Sequence, residues 1–435
     1  MANDLEGPQQ AQKATEGDHP ITFRGLFALR EFRFVYTSML ISWVGDYLTR
    51  AAVTVLIYQQ TRSVLLSAIS FAIGYLPWIT LGPVLSALGD RYPYRRVMIA
   101  CDLFRMTAVA MLLIPGLPVA VLLLVVLLAG LGGPPAQAAR SAQLPLVVGR
   151  ERLTLATAVA TTTGQAAQVA GYLLGSALAV GLTPRVAVGL DVVSFAVSAL
   201  LIAIGVRLRP AAVAPAHRRH LLRETAEGFQ LVFGLPVLRS IAIVVFSTIA
   251  FSIVPESLAA SWAAEGTPDG LPQGLAQGLI MGAGPLGVAI GGLLFSRLVP
   301  AERRWQLVPL LAVVTPLVLV PAIAGPPAVV VAGLVALSGL AQGAALPALN
   351  ASFALILPAS HRARAFGVMT SGIQASQFLA VLITGVLSER FRIPLVVGVW
   401  SIAGTALMVA IVAFWPKRPA PVAAAPTPAR AEPAT

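Results

Sequence analysis

The stretch FVYTSMLISWVGDYLTRAAVTVLIY, Phe34 to Tyr58, holds only two charges, Asp46 and Arg50, placed one helical turn apart. A helix of that length rises about 37 Å, enough to cross the roughly 30 Å hydrocarbon core of a bilayer. Every backbone N–H and C=O in such a segment must be paired internally, so the stretch reads as a membrane helix. Segments of the same kind recur at about 65–88, 97–114, 118–138, 155–180, 186–206, 238–262, 275–296, 306–324, 328–348, 367–388 and 394–415. Twelve spans need about 250 apolar residues. The 435-residue chain, 57% hydrophobic and 11% charged with mean hydropathy +0.83, supplies them. So few charges would not cover the surface of a water-soluble domain. The short alternating segments of a membrane barrel are absent. The expected fold is an all-α polytopic membrane protein.

The net charge of +12 is a topology signal. Basic residues crowd alternate connections, including Arg91, Arg95 and Arg96, Arg140 to Arg152, the Arg207–Arg239 group, and Arg297, Arg303 and Arg304. The other connections hold only Arg62, Arg185, Arg390 and Arg392. The positive-inside rule then places both termini in the cytoplasm and gives no reason to invoke nucleic acid. The expected location is the cell membrane, and a monomer is expected. The polar first 22 residues lack the apolar core of a signal peptide, so the first span must direct insertion.

Several chemistries lack their residues. Neither of the two lysines follows a Gly-rich loop, which excludes a P-loop ATPase. Cys101 is the single cysteine and can form no intramolecular disulfide. The four histidines fall in connections or tails, and His217 and His220 read as part of a solvated basic loop. No cofactor and no metal site are expected.

The spans divide six and six about the longest polar connection. The expected organisation is a cytoplasmic tail at 1–33, a six-helix bundle at 34–206, a linker with an amphipathic helix at 207–237, a second bundle at 238–415 and a Pro-rich disordered tail at 416–435. The halves repeat. PAQAARSAQLP (135–145) precedes a basic connection and QAAQ (165–168), while PALNASFALILP (347–358) precedes another and QASQ (374–377). The recurring pattern points to duplication.

Amides facing lipid would be unsatisfied, so Gln165 and Gln168, and Gln374 and Gln377, should face protein or water. They either hold helices together or line a central cavity. Gly171 with Gly175, and Gly287 with Gly291, allow close helix packing and would also suit a sliding interface.

Every fourth residue of the first span gives Ser38, Ser42, Asp46, Arg50 and Thr54, one polar stripe. The seventh span repeats it with Thr248, Ser252 and Glu256. Charges inside spans normally face the bundle interior or a water path. Asp46 with Arg50 at i, i+4 is either a static ion pair or a proton switch in which Asp46 takes a proton and releases Arg50. Glu256, beside Pro255, is either a kink partner or a second titrating site. Asp102 and Arg105 are expected to pair structurally at one end of the third span, and Asp191 to be structural in the sixth.

The connection GPVLSALGDRYPYRRVMIACD (82–102) resembles the signature G-x-x-x-D-R-x-G-R-R of the major facilitator superfamily. Asp90, Arg91, Arg95 and Arg96 match, while Ser86, Pro93 and Tyr94 depart from it. The stretches SWVGDYLTRAAV, ARSAQLP and RARAFGV look like the branch holding macrolide-efflux and enterobactin-export transporters. The resemblance implies twelve helices in two pseudo-symmetric six-helix bundles. It also implies that helices 1 and 7 line a central cavity, and that Asp90 and Arg91 close an inner gate. In the fifth span, Tyr172 stands where the family's drug–proton antiporters carry Pro.

The resulting expectation is a secondary transporter exporting a bulky, fairly apolar small molecule against protons or another coupling ion by alternating access. One proton suffices energetically, since 100 mV contributes about 2.3 kcal/mol and each pH unit about 1.4. The alternatives are a nutrient importer of the same fold, or a membrane enzyme or lipid-handling protein. Against an enzyme, the spans hold no His–acid cluster or Ser/Lys nucleophile.

Overall fold

The computed structural model describes residues 22–82, 85, 92–209, 221–266, 268, 270–357 and 362–416. Among them all regular structure is helical. In chain order the long helices are α1 Arg30–Thr61, α2 Val64–Thr80, α3 Tyr94–Met111, α4 Val119–Gly149, α5 150–181 and α6 Pro184–Gly205. They continue as α7 Pro236–Ala264, α8 Gln273–Leu298, α9 Glu302–Ala324, α10 Ala328–Ile356, α11 Ala365–Ser388 and α12 Ile393–Ala413. A short helix, Phe23–Ala28, precedes α1, and Leu221–Gly234 precedes α7.

Nine of these helices among the described residues are long and apolar enough to cross a membrane. The other three depart for visible reasons. α2 is short and tightens into a 3₁₀ turn at Ile73–Tyr75, just ahead of Pro77. α3 carries Arg95, Arg96, Asp102 and Arg105, and α5 is diluted by Thr161, Thr162, Thr163, Gln165 and Gln168.

The helix ends correct the expected spans in one informative place. α4 runs on to Gly149, and α5 follows with no loop between. Gly149 alone makes the turn, with φ 76° and ψ 169°, a conformation that only glycine adopts without strain. Arg140, expected in a basic connection, therefore sits inside a helix and is buried.

Contacts run chiefly within α1–α6 and within α7–α12. α1 lies against α5 and α6, with Gly171 and Gly175 of α5 on the backbone around Val44 and Leu48. α8 lies against α10, where Gly287 and Gly291 meet Ala336 and Leu340 while Gly339 and Gly343 meet Gly284 and Val288. Both expected glycine pairs therefore pack inside one set of six and are not sliding surfaces between sets. Contact between the sets falls to other positions, with α5 meeting α8 and α2 meeting α11. In the first of these, Gly274 and Gly278 lie on Ser176 and Leu173.

One contact between the sets joins the start of α2 to the residues just after α11. There the Glu389 carboxylate accepts from Ser63 Oγ at 2.6 Å and from the Leu65 N–H at 2.8 Å, capping the start of α2 from the other set. These hydrogen bonds favour the charged form of Glu389 and lower its pKa from the ordinary carboxylate value. Fully buried Gln277 of α8 donates to the Ala51 carbonyl of α1 at 3.1 Å.

The connection at 207–237 is described from Leu221 onward and at its first residues. Arg209 grips Glu31 with both guanidinium nitrogens, at 2.5 and 2.8 Å. On the short helix the Phe229 and Phe233 rings stack at 6.0 Å with both side chains substantially exposed, while Val232 is buried.

Candidate functional site

A cavity of about 500 Å³ lies where the two sets of helices meet. Its wall takes aromatic side chains from Trp43, Tyr47, Phe71, Tyr75 and Trp78 and aliphatic ones from Val53, Ile249, Val288 and Leu346. All four expected glutamines, Gln165, Gln168, Gln374 and Gln377, stand in this wall, joined by Gln137 from α4 and Gln342 from α10. Asp46, Arg50, Ser252 and Glu256 are there too.

Ser42 and Thr248 are not. Both are buried behind the wall, Ser42 against Arg140 at 3.4 Å. The stripe on α1 is straight on a helical net, but α1 meets the cavity only over the turns that α5 and α6 leave uncovered.

The charges pair differently from the sequence expectation. Asp46 does not pair with Arg50. Arg105 Nη2 of α3 donates to Asp46 Oδ1, and the Arg105 guanidinium lies 4.6 Å from the centre of the Phe195 ring. Arg50 turns the other way, its guanidinium 5.2 Å from the Phe71 ring and 5.0 Å from the Tyr75 ring, with Nη1 donating to Tyr75 Oη at 3.3 Å. Among the described residues no carboxylate lies within 4.0 Å of Arg50. Cation–π contact with two rings holds it instead.

Asp102 does not pair with Arg105 either. It is fully buried, accepts from Ser198 Oγ at 2.6 Å, and has Arg140 Nη2 at 3.5 Å. Sequence spacing favours i, i+3 and i, i+4 partners, but three helices converge here and cross-helix partners win.

Asp191 is buried in the same cluster and reaches the cavity wall. Ser194 Oγ donates to its Oδ1 at 2.9 Å. Gly45 of α1 makes this approach possible, since a Cβ there would overlap both the Asp191 carboxylate and Ser194.

Glu256 follows a break in α7 at Ile253, where the helix restarts at Val254–Pro255. Its carboxylate crosses to the other set. Tyr172 Oη donates to Glu256 Oε1 at 2.6 Å, and Gln168 Nε2 stands at 3.5 Å from the same oxygen. Glu256 is therefore an inter-set acceptor as well as a residue at a kink. Tyr172 supplies the donor.

Of the gate motif, Asp90 and Arg91 lie outside the described residues. Arg95 donates to the Ala203 carbonyl at 2.5 Å, tying α3 to α6, and Arg96 is exposed. Among the described residues no group of three or more His, Cys, Asp or Glu is placed to hold a metal ion. Sequence reasoning missed Arg140, Gln277 and the part played by Tyr172. Gln277 carried a usable signal, a polar side chain inside an apolar helix.

The family model of the Major Facilitator Superfamily matches residues 35–321 and 271–435. The chain belongs to that superfamily. Its members are transporters, and the apolar helices make this chain a multi-pass membrane protein. Within the superfamily it is similar to Macrolide efflux protein A of Streptococcus pyogenes, 24% identical over 182 residues. That match spans 40% of this chain and 44% of the relative. Solved structures share the fold over most of the length. A POT family transporter in complex with 5-aminolevulinic acid has TM-score 0.71 at 11% identity, covering 91% of this chain and 96% of that one. A bacterial homologue of the iron transporter ferroportin, in an inward-facing state, has TM-score 0.65 at 16% identity, covering 90% and 100%. The nucleoside transporter NupG has TM-score 0.63 at 14% identity, covering 87% and 99%.

Proposed function

We propose that this superfamily member exports a bulky, fairly apolar small molecule in exchange for protons, by alternating access between two six-helix units. The cavity carries the reading. Some 500 Å³ lined by five aromatic side chains suits a drug-sized ligand, and its six glutamines offer neutral hydrogen bonds that tolerate varied ligands. The likeness to Macrolide efflux protein A supports the direction. The division falls at the 207–237 connection, with the units at 34–206 and 238–415 and tails at 1–33 and 416–435.

In this reading both termini are cytoplasmic, and the end capped by Glu389 faces outside. The cavity is then closed to the outside by the Ser63–Glu389, Ala51–Gln277 and Tyr172–Glu256 contacts. Asp90 and Arg91, with Arg95 and Arg96, act in the inner gate of the opposite state. Gln165, Gln168, Gln374, Gln377 and Ser252 contact the ligand. Coupling lies in the buried charges around Asp46 and Arg105, with Glu256 as a second titrating acid and Arg50 as the charge near it. A proton on Asp46 removes the charge that holds Arg105, the step assigned to Arg50 on sequence grounds. The chain works as a monomer in the cell membrane.

Inside-out vesicles containing the protein test direction and coupling together. An acid-inside pH gradient should drive accumulation of a lipophilic dye or macrolide, and collapse of the gradient should release it. Uptake of small nutrients into right-side-out vesicles, with no drug accumulation, would favour the importer. A reporter fused near residue 265 should read as extracellular; a cytoplasmic signal there would reverse the orientation.

A further inference from the structure

Within the first six helices acids outnumber bases in one local cluster, with Arg50 set apart on the Phe71 and Tyr75 rings. Around Asp46 the side chains in mutual reach are Asp46 and Thr49 from α1, Asp102 and Arg105 from α3, Arg140 from α4, and Asp191 and Ser194 from α6. Three carboxylates therefore face two guanidinium groups. Arg105 is taken by Asp46 and Arg140 by Asp102. Asp191 is left over, 1% exposed, with no cation within 4.0 Å among the described residues.

Its hydrogen bonding is incomplete as well. Oδ1 accepts from Ser194, while buried Oδ2 and the buried hydroxyl of neighbouring Thr49 face each other without completing a well-formed hydrogen bond. An ionised carboxylate in that position would carry an uncompensated charge against the backbone of Gly45, beside the charge of Asp46. A protonated one removes the excess charge, and its O–H can serve the orphaned oxygen.

We infer that Asp191 is the proton-binding site of this conformation: a neutral carboxylic acid, while Asp46 and Asp102 stay ionised on their arginines. This rests on the proton-coupled reading above and, in the conformation seen here, moves its proton from Asp46 to neighbouring Asp191. The proton enters and leaves at Asp191 Oδ2, which belongs to a residue of the cavity wall. Its loss leaves Asp46 and Asp191 competing for Arg105, the cation that faces both. The structural change on deprotonation is thus a rearrangement of α1, α3 and α6 around one guanidinium.

Infrared spectroscopy of the full-length protein in lipid, without substrate or gradient, tests the assignment. The wild type should show the C=O band of a protonated carboxyl at neutral pH, sensitive to H/D exchange. Asp191→Asn should remove it. Ser194→Ala, which deletes the hydrogen bond to Asp191 Oδ1, should shift the band, and Ser198→Ala, which touches Asp102, should leave it in place. Asp46→Asn balances the charges, so it should let Asp191 ionise and move the band to more acidic pH. A wild type without the band, a band left unaltered by Asp191→Asn, or a band that follows Ser198→Ala and ignores Ser194→Ala would each overturn the proposal. The Ser194→Ala and Ser198→Ala arms keep it testable if Asp191→Asn does not fold. A band assigned to Asp191 in a protein that moves no dye under a pH gradient would leave the proton site standing and remove the coupled-export reading.

Discussion

Tyr172 of α5 donates its hydroxyl proton to Glu256 of α7 at 2.6 Å, with Tyr172 fully buried. This bond joins the two sets of helices directly beside the cavity. Losing a buried hydrogen bond to a carboxylate costs about 1.5–3 kcal/mol. Tyr172→Phe keeps the ring and its packing on Tyr47 but removes the donor. The conformer seen here should therefore lose about tenfold or more in population relative to its opposite. A cysteine at position 252, in a Cys101→Ser background, should become more reactive toward an impermeant thiol reagent added from the 265 side. Unchanged labelling would mean that the bond does not bias the two states.

A double-mutant cycle separates the partners of Asp46. Arg105→Gln removes the cation that Asp46 holds and should cost about 3 kcal/mol of stability, the low end for a buried pair because Asp46 borders the cavity. Adding Asp46→Asn should recover much of that loss. Arg50→Gln combined with Asp46→Asn should instead be additive within about 0.5 kcal/mol. Thermal unfolding in detergent reads both cycles. Coupling of Asp46 to Arg50 larger than to Arg105 would contradict the geometry.

Glu389 gives the Ser63 clasp a pH dependence. Its hydrogen bonds to Ser63 and the Leu65 N–H lower its pKa below the ordinary 4.5. A depressed carboxylate contributes its stabilisation above the unfolded value and loses it as pH falls through the lower folded value. The nearby titratable and charged groups are Tyr58, Arg62 and Glu265, with Arg390 and Arg392 beside it in sequence. Burial pushes Glu265 upward, so it loses its charge before Glu389 does. Spin labels on exposed Gln59 and Phe391 should move apart as pH falls below about 4.5. Glu389→Gln should already show the longer distance at neutral pH. A pH response of the same size in that variant would assign the effect to another group.

Gly291 tests the packing of α8 on α10. A Cβ added there would run into the Leu340 carbonyl, a backbone group that cannot step aside. Gly291→Ala should destabilise by about 1–3 kcal/mol, as overpacking does. Gly333→Ala, where a Cβ meets nothing within 4 Å, is the control and should unfold like the wild type. Equal melting temperatures for both variants would show that the contact relaxes freely.

The sequence determined the class of this protein through quantities local to the chain. Runs of apolar residues set helix existence, because lipid leaves the backbone no other partner. Four-residue spacing showed that Asp46, Arg50, Ser252 and Glu256 share polar stripes, and these four do reach the cavity wall. The same spacing suggested the wrong partners. Whether Asp46 meets Arg50 or Arg105 depends on which helix stands opposite α1, and that follows from shape. Gly45 admits Asp191 and Ser194, and Gly171 and Gly175 admit the α1 backbone around Val44 and Leu48. Phe71 and Tyr75 offer Arg50 two ring faces. Helix boundaries were lost for a related reason. Arg140 looked like a loop charge because a buried arginine is legible only when Asp102 and Ser42, distant in sequence, come to meet it. Local periodicity fixes what a helix presents, and close packing between helices fixes what receives it.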